Sequence, residues 1–426
     1  MKVFIQTAIT LFLLQSITCG AAQAQKIIPG HSLIIALPGK TLLAQDRDLL
    51  KEIQPGGVLL LGNNISNRQQ TLNLVAAIKR TVSGKAFSGA LPLIYVDQEG
   101  GRVNRLRLDN APSASSLGAE GSEGKIRDTA IAYARAARER GIEVVIAPVL
   151  DLKVPGSRAI GDRAFSDDPE IAWLFGKRFM DGILQEGLLP VVKHFPGHGA
   201  AIEDSHVQLA HLNLTGQALE DTLLPFKNAV DATVPAVLVG HIACPALDPE
   251  FPDTPATLSR AMVTGILREQ WGYDGFIMTD DMNMKAVKGA LEDLVVRSLR
   301  AGCDAVIICE HNPALLRKIV RTIALEAEND PQFLDMLRQS RQRLDRFSSR
   351  IFPVDIQPEA ATAVATQTPR QPGSGQETII QHKVAAGDTL SKLAVRYGTT
   401  TETIRQYNNK NSDVIGIGET LHIPGN

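Results

Sequence analysis

Short, nearly unbroken apolar runs alternate with longer amphipathic stretches from about residue 30 to about residue 350. The runs are residues 33–37, 58–61, 93–96, 144–147, 191–192, 236–239, 276–278 and 305–308. Amphipathic segments such as 66–81, 125–140, 169–186 and 261–270 lie between them. A strand that is apolar along its whole length is buried on both faces, so this pattern predicts a parallel sheet covered by helices. About eight such units over roughly 320 residues predict an α/β fold, a (β/α)8 barrel of the TIM type with insertions. An open doubly wound sheet is the alternative, but no glycine-rich phosphate turn follows the first run.

The pattern breaks at both ends. Residues 1–24 read as a signal peptide: Lys2 supplies the positive end, residues 3–14 the apolar stretch, and Ala22-Gln23-Ala24 the small residues before a cut at Gln25. Cys19 follows Ser16-Ile17-Thr18, a poor match to a lipoprotein cleavage box, so lipidation is the lesser alternative. No later stretch is long and apolar enough to span a bilayer. The expected mature protein is exported, periplasmic or extracellular, and monomeric. Residues 353–379, rich in Ala, Thr, Gln and Pro and containing Gln371-Pro372-Gly373-Ser374-Gly375, predict a flexible linker. It separates a large unit at 27–352 from a small one at 380–426.

Composition adds two exclusions. Lys+Arg 44 against Asp+Glu 46 leaves a net charge of −2, so bulk charge does not point to nucleic acid or a membrane surface. Cys244, Cys303 and Cys309 remain after the signal segment, and the last two flank the apolar run 304–308. A strand there holds their Cα atoms roughly 20 Å apart, beyond disulfide reach, so free buried thiols are expected.

The densest chemistry is Lys193-His194-Phe195-Pro196-Gly197-His198-Gly199, followed by Asp204-Ser205-His206. Two readings compete. The histidines and Asp204 form a possible metal-ligand set; alternatively, Asp204 orients His206 for proton transfer. The Pro-Gly pair argues against a single regular helix presenting His194 and His198 to a metal. Other polar residues also stand at the ends of apolar runs: Asp97, Asp151, His241, Asp280 and Glu310. Catalytic groups of barrels occupy the C-terminal ends of strands.

Asp97 begins Asp97-Gln98-Glu99-Gly100-Gly101-Arg102-Val103-Asn104-Arg105, where Asp97 can accept bonds from sugar hydroxyls and Arg105 can hold an oxygen. Gly161-Asp162-Arg163 supplies a further arginine. In Thr279-Asp280-Asp281-Met282, successive strand residues point to opposite faces, so the two carboxylates should differ in role. Asp280, nearest the strand end, is the candidate nucleophile; Asp281 is expected to bond backbone groups. Attack by a substrate acetamido oxygen is the rival mechanism.

These five motifs, in this order and at these separations, resemble glycoside hydrolase family 3, specifically its β-N-acetylglucosaminidase branch, over about residues 30–350. The resemblance implies a metal-free, cofactor-free (β/α)8 enzyme that removes non-reducing β-linked N-acetylglucosamine with retention. By motif position, Asp280 matches the nucleophile, His206 the general acid/base and Asp204 its partner. Asp97, Arg105, Arg163, Lys193 and His194 match the sugar contacts. A neutral histidine base repels anions less than a carboxylate does, so phosphate remains an alternative acceptor. Two departures stand out: the export signal, and the lack of the large second domain that many family members carry.

The tail, with His382 to Ala394, Tyr397-Gly398-Thr399, Ile404, Asn408 and Gly418 to Pro424, resembles a lysin-motif (LysM) module. That family implies a βααβ fold that binds N-acetylglucosamine glycans, with the turn at 387–390 and the segment near 408–415 as its groove. Asp388 or Thr389 is expected to cap the first helix. Together the two units imply an exported exo-β-N-acetylglucosaminidase held at peptidoglycan. Chitin fragments are an alternative substrate. An idle barrel on a wall-binding protein, a metal-dependent hydrolase and a β-glucosidase are the rival functions.

Overall fold

The computed structural model describes residues 27–82, 92–201, 205 and 208–351 of the large unit. In the small unit it describes 378–385, 388–397, 399, 401–410, 412 and 414–425. The signal-peptide reading, Cys19, Asp204, His206, Gly387, Gly398 and nearly all of the linker lie outside the described residues. The chain divides into two compact units, before and after Pro358.

Eight parallel strands close the barrel in sequence order. They are β1 (Leu33–Ala36), β2 (Gly57–Leu60), β3 (Leu93–Val96), β4 (Val144–Val145), β5 (Leu189–Phe195), β6 (Ala236–Val239), β7 (Phe276–Asp281) and β8 (Ala305–Ile308). Closure is made by β8 pairing with β1, Val306 opposite Leu33. Every apolar run of the sequence reading is a barrel strand. One extends further than expected: β5 runs through Phe195, so Lys193 and His194 belong to the strand rather than to the loop after it.

Helices cover the outside: α1 (Ala44–Ile53), α2 (Arg68–Val82), α3 (Glu123–Arg138), α4 (Pro169–Gln185), α5 (Gly216–Asp231), α6 (Leu291–Ala301), α7 (Pro313–Asn329) and α8 (Pro331–Ser348). Residues Ala261–Gln270 form a π-helix where a helix was expected. The caps follow sequence chemistry. Asp168 accepts the Glu170 and Ile171 N–H groups at 2.9 and 3.0 Å, with Pro169 at the first helical position.

The two sides of each strand bury different partners. Ile34, Leu59, Leu93, Tyr95, Val144, Leu189, Val191, Ala236, Leu238, Phe276, Met278, Ala305 and Ile307 pack together as one cluster inside the barrel. Their neighbours, such as Leu33, Ile35, Val58, Ile94 and Val306, pack in the cluster that includes the helices. Each buried aliphatic side chain contributes about 1.5–3 kcal/mol. The bottom is sealed from α8: Leu344 and Phe347 join the interior cluster, and Phe347 stacks on Phe276 at 5.0 Å. The catalytic end therefore has to be the other one.

In the small unit, β9 (Thr378–Lys383), α9 (Leu390–Arg396), α10 (Thr401–Tyr407) and β10 (Thr420–Gly425) follow in βααβ order, the strands antiparallel. Leu390, Leu393 and Ala394 pack on Val384, Ile404, Leu421 and Ile423, the helical face expected from their spacing. The Asp388 carboxylate turns back to the strand, accepting the Ala385 N–H at 2.9 Å and pairing with His382 at 2.9 Å. It therefore closes a turn; Thr389, the other residue expected to cap the helix, stands directly before Leu390, and its carbonyl accepts the Leu393 N–H at 3.0 Å.

Candidate active site

The inward rows of the strands lead directly to the site. In β7 the interior positions are Phe276 and Met278, and the next step of two is Asp280. In β5 Leu189 and Val191 lead to Lys193, and in β3 Leu93 and Tyr95 lead to Asp97. Beyond Ile307 the same step reaches Cys309. These residues line a cavity of about 380 Å³, joined by Glu99, Arg105, Arg158, Arg163, His194, Asp281 and Met284. All five residues expected to contact sugar, and Asp280, line this one cavity.

Alternation alone would turn His194 and Asp281 away. The pairing of β5 with β6 slips between Val192 and Phe195, and that of β7 with β8 slips between Met278 and Asp281. An irregular register lets neighbouring residues share a face, and both pairs do. The expectation of opposite faces for Asp280 and Asp281 is corrected here. The Lys193–His194 peptide bond is cis.

Buried charges are paired around Glu99. Lys193 Nζ lies 2.6 Å from Asp97 Oδ1 and 2.6 Å from Glu99 Oε1. Arg163 donates from Nε to Glu99 Oε2 at 2.8 Å and from Nη2 to Oε1 at 2.9 Å. Burial acts to raise the Glu99 carboxyl, but Lys193 and Arg163 outweigh it and hold it well below the usual carboxylate range. Burial acts to lower the Lys193 ammonium, but Asp97 and Glu99 reverse this and push it up. Arg163 also donates to the Ala159 carbonyl at 3.0 Å, so most of its fork is already engaged by protein. Among the described residues, neither Asp97 Oδ2 nor the Arg105 side chain has a hydrogen-bond partner, and both remain available to a ligand.

A second carboxylate organises the histidines. Asp151, fully buried just beyond β4, accepts the His194 backbone N–H at 3.2 Å and the His198 backbone N–H at 2.5 Å. It also lies 2.7 Å from His194 Nδ1. On the far side of that ring Arg163 Nη2 approaches Nε2 at 3.2 Å. A guanidinium can only donate, so in the neutral ring Nε2 accepts and Nδ1–H donates to Asp151. Neither His194 nitrogen keeps a lone pair for a metal. This geometry removes the metal-ligand alternative for His194.

The two aspartates of β7 are chemically distinct. Burial acts to raise Asp280, but His194, His241, the Asp281 N–H and Lys193 outweigh it and hold it below the ordinary carboxylate range. Asp280 therefore stays ionised, as an attacking carboxylate must. Asp281 Oδ1 accepts the Cys309 and Asn283 N–H groups at 2.9 and 3.1 Å, the backbone role expected for it. Burial raises its carboxyl, and Asp280 adds to the rise. His241 fixes this strand end through Nε2, 2.9 Å from the Asp281 carbonyl.

Glu99 and Asp151 carry the organisation of the site, yet motif position gives neither a role. Glu99 sits inside the quoted motif and Asp151 among the strand-end polar residues; their partners lie too far along the chain for spacing to show. Glu310, also at a strand end, accepts from Asn283 Nδ2 at 2.9 Å. Cys244 and Cys303 are buried free thiols as expected; Cys309 is half-buried at the cavity wall.

Residues 33–345 match the model of the glycosyl hydrolase family 3 N terminal domain, and residues 382–424 that of the LysM domain. A protein named beta-hexosaminidase from Xanthomonas oryzae pv. oryzae is 37% identical over 304 residues, covering 68% of this chain and 86% of that protein. A beta-hexosaminidase from Xanthomonas campestris pv. campestris is 35% identical over 316 residues, covering 72% and 92%. Among solved structures, a glycoside hydrolase family 3 beta-N-acetylglucosaminidase from Paenibacillus sp. superposes with a TM-score of 0.70 at 28% identity, covering 82% of this chain and 65% of that one. NagZ from Neisseria gonorrhoeae, in complex with N-trifluoroacetyl-D-glucosamine, gives 0.64 at 28%, covering 75% and 91%. With its strand-end acids in one closed barrel and a matched model spanning most of its length, the chain belongs to glycoside hydrolase family 3 and carries a C-terminal LysM domain.

Proposed function

We propose that this protein is an exported, retaining exo-β-N-acetylglucosaminidase acting on peptidoglycan-derived glycans. The observation that carries the reading is Asp280: a half-buried carboxylate at the end of β7, held ionised, on the cavity that Asp97, Arg105, Lys193 and His194 also line. Relatives named beta-hexosaminidase and solved beta-N-acetylglucosaminidases of the same family support the choice of sugar.

In the proposed mechanism Asp280 attacks the anomeric carbon and forms a glycosyl ester. His206 protonates the departing oxygen, then takes a proton from water as the ester is hydrolysed. Asp204 favours the imidazolium that the first step requires. Asp97 and Arg105 bind sugar oxygens with their unpartnered atoms. Lys193 and His194, held by Glu99 and Asp151, meet the sugar in fixed orientations. The LysM domain tethers the enzyme to the wall; exposed Val414 and Ile417 beside the expected groove offer apolar faces to sugar rings.

Release of p-nitrophenol from p-nitrophenyl β-N-acetylglucosaminide tests the reading, with chelator present and Asp280→Ala alongside. Activity that resists chelator and vanishes in the variant supports it. An inactive wild type, with the β-glucoside and added phosphate also tried, sinks it.

A further inference from the structure

Among the cations of the catalytic cavity, Arg158 is held by its backbone and left unengaged at its side chain. It lies between β4 and α4, is exposed, and lines the cavity, which places it at the mouth rather than the floor. Two arginines clamp the chain around it. Arg102 donates from Nη1 and Nη2 to the Arg158 carbonyl at 3.2 Å each, and from Nη2 to the Ala159 and Ile160 carbonyls at 2.5 and 2.9 Å. Arg163 Nη1 donates to the Ala159 carbonyl at 3.0 Å. The other cations have their tasks. Lys193 pairs with Asp97 and Glu99, Arg163 with Glu99, and Arg102 with Asp162 at 3.2 Å. Arg105, half-buried, serves the enclosed sugar in the proposed mechanism. The Arg158 guanidinium has no hydrogen-bond or ion-pair partner among the described residues.

An exo-acting site encloses the terminal sugar, so a residue at its mouth meets the group beyond the scissile bond. A guanidinium is permanently charged, can only donate, and has a planar fork that matches a carboxylate. A carboxylate entering here also faces the ionised Asp280, a repulsion that a nearby cation offsets. We propose that Arg158 is a specificity-determining residue that recognises a carboxylate on the aglycone, the part of the substrate beyond the scissile oxygen. The inference rests on the proposed N-acetylglucosaminidase reading and narrows its substrates to glycans that are acidic next to the terminal sugar. In peptidoglycan two sources carry such a group: the lactyl ether of N-acetylmuramic acid, and a peptide joined to it.

The test uses matched pairs that differ only in charge. The first pair is the β-1,4 disaccharide of N-acetylglucosamine and N-acetylmuramic acid, against its methyl ester. The second has the lactyl group amidated by L-alanyl-D-glutamate, as the free acid and as the dimethyl ester. For each pair the ratio of kcat/KM, acid over ester, is measured in the full-length wild type, Arg158→Gln, Arg158→Lys and Arg107→Gln. Arg107 is also exposed, on a neighbouring segment, but does not line the cavity. The wild type should favour the acid by about fivefold in at least one pair, the worth of one partly exposed charge pair, and the preference should shrink as salt is added. Arg158→Gln should abolish it, Arg158→Lys should restore part of it, and Arg107→Gln should keep it. A preference in the first pair assigns the lactyl carboxylate; one confined to the second assigns the peptide. No preference in either pair, or equal loss in Arg158→Gln and Arg107→Gln, overturns the role of Arg158 while leaving the glucosaminidase reading in place. Arg158→Gln lowering acid and ester alike also overturns it. Hydrolysis of none of these substrates, with the neutral disaccharide of N-acetylglucosamine also intact, overturns both.

Discussion

Glu99 and Arg163 meet through two parallel hydrogen bonds, 2.8 and 2.9 Å long, at the buried edge of the cavity. The same carboxylate holds Lys193 at 2.6 Å. One acid therefore positions two cations of the site without itself being a candidate for the chemistry.

Glu99→Gln tests that role. Removing one member of a buried charge cluster costs about 3–5 kcal/mol, so the melting temperature should drop and KM should rise. The pH dependence has a definite sign. Glu99 titrates below its unfolded value, so its contribution is fully present above about pH 4.3 and is lost as pH falls through the folded value. The gap in melting temperature between wild type and Glu99→Gln should narrow as pH is lowered below that point. A gap that stays constant or widens in acid would contradict the assignment.

Asp151→Asn presents an amide where three donors converge. One of the His194 or His198 backbone N–H groups then faces an NH2 group, at a cost of about 1–3 kcal/mol. The His194 ring also loses its ionic partner. A raised KM with lowered thermal stability is expected; unchanged kinetics would remove Asp151 from the account.

The barrel was legible in the sequence because each strand is buried on both faces and reads as an apolar run. The end of β5 was not, since Lys193 and His194 are polar residues inside a strand, paid for by partners at positions 97, 99, 151 and 163. Those partners are brought together only by closure of the barrel, which no local spacing records. Arg163 matches a sugar contact by motif position and does line the cavity, but its main engagement is with Glu99. Asp280 was legible because it stands at the end of an apolar run, and in the structure it continues the inward row of Phe276 and Met278.

Asp280→Asn and Asp281→Asn should separate two adjacent carboxylates. The first removes the nucleophile and should lower kcat by at least about 10³-fold. The second keeps an oxygen that can accept the Cys309 and Asn283 N–H groups, and activity should stay within about tenfold. Reversed losses would exchange their roles.

Deleting residues 380–426 should leave hydrolysis of a soluble aryl glycoside unchanged, because every candidate catalytic residue lies in the other unit. Co-sedimentation with insoluble peptidoglycan should fall, and with it the rate on that material. Undiminished co-sedimentation would remove the tethering role.

The central claim is a covalent bond to Asp280. Incubation with 2-acetamido-2-deoxy-5-fluoro-β-glucosyl fluoride, followed by proteolysis and mass spectrometry, should place one fluoroglycosyl ester on the peptide containing Asp280. An ester on Asp281 would contradict the assignment. Turnover of the reagent with no protein adduct and release of an oxazoline would show that the substrate's own acetamido oxygen is the nucleophile.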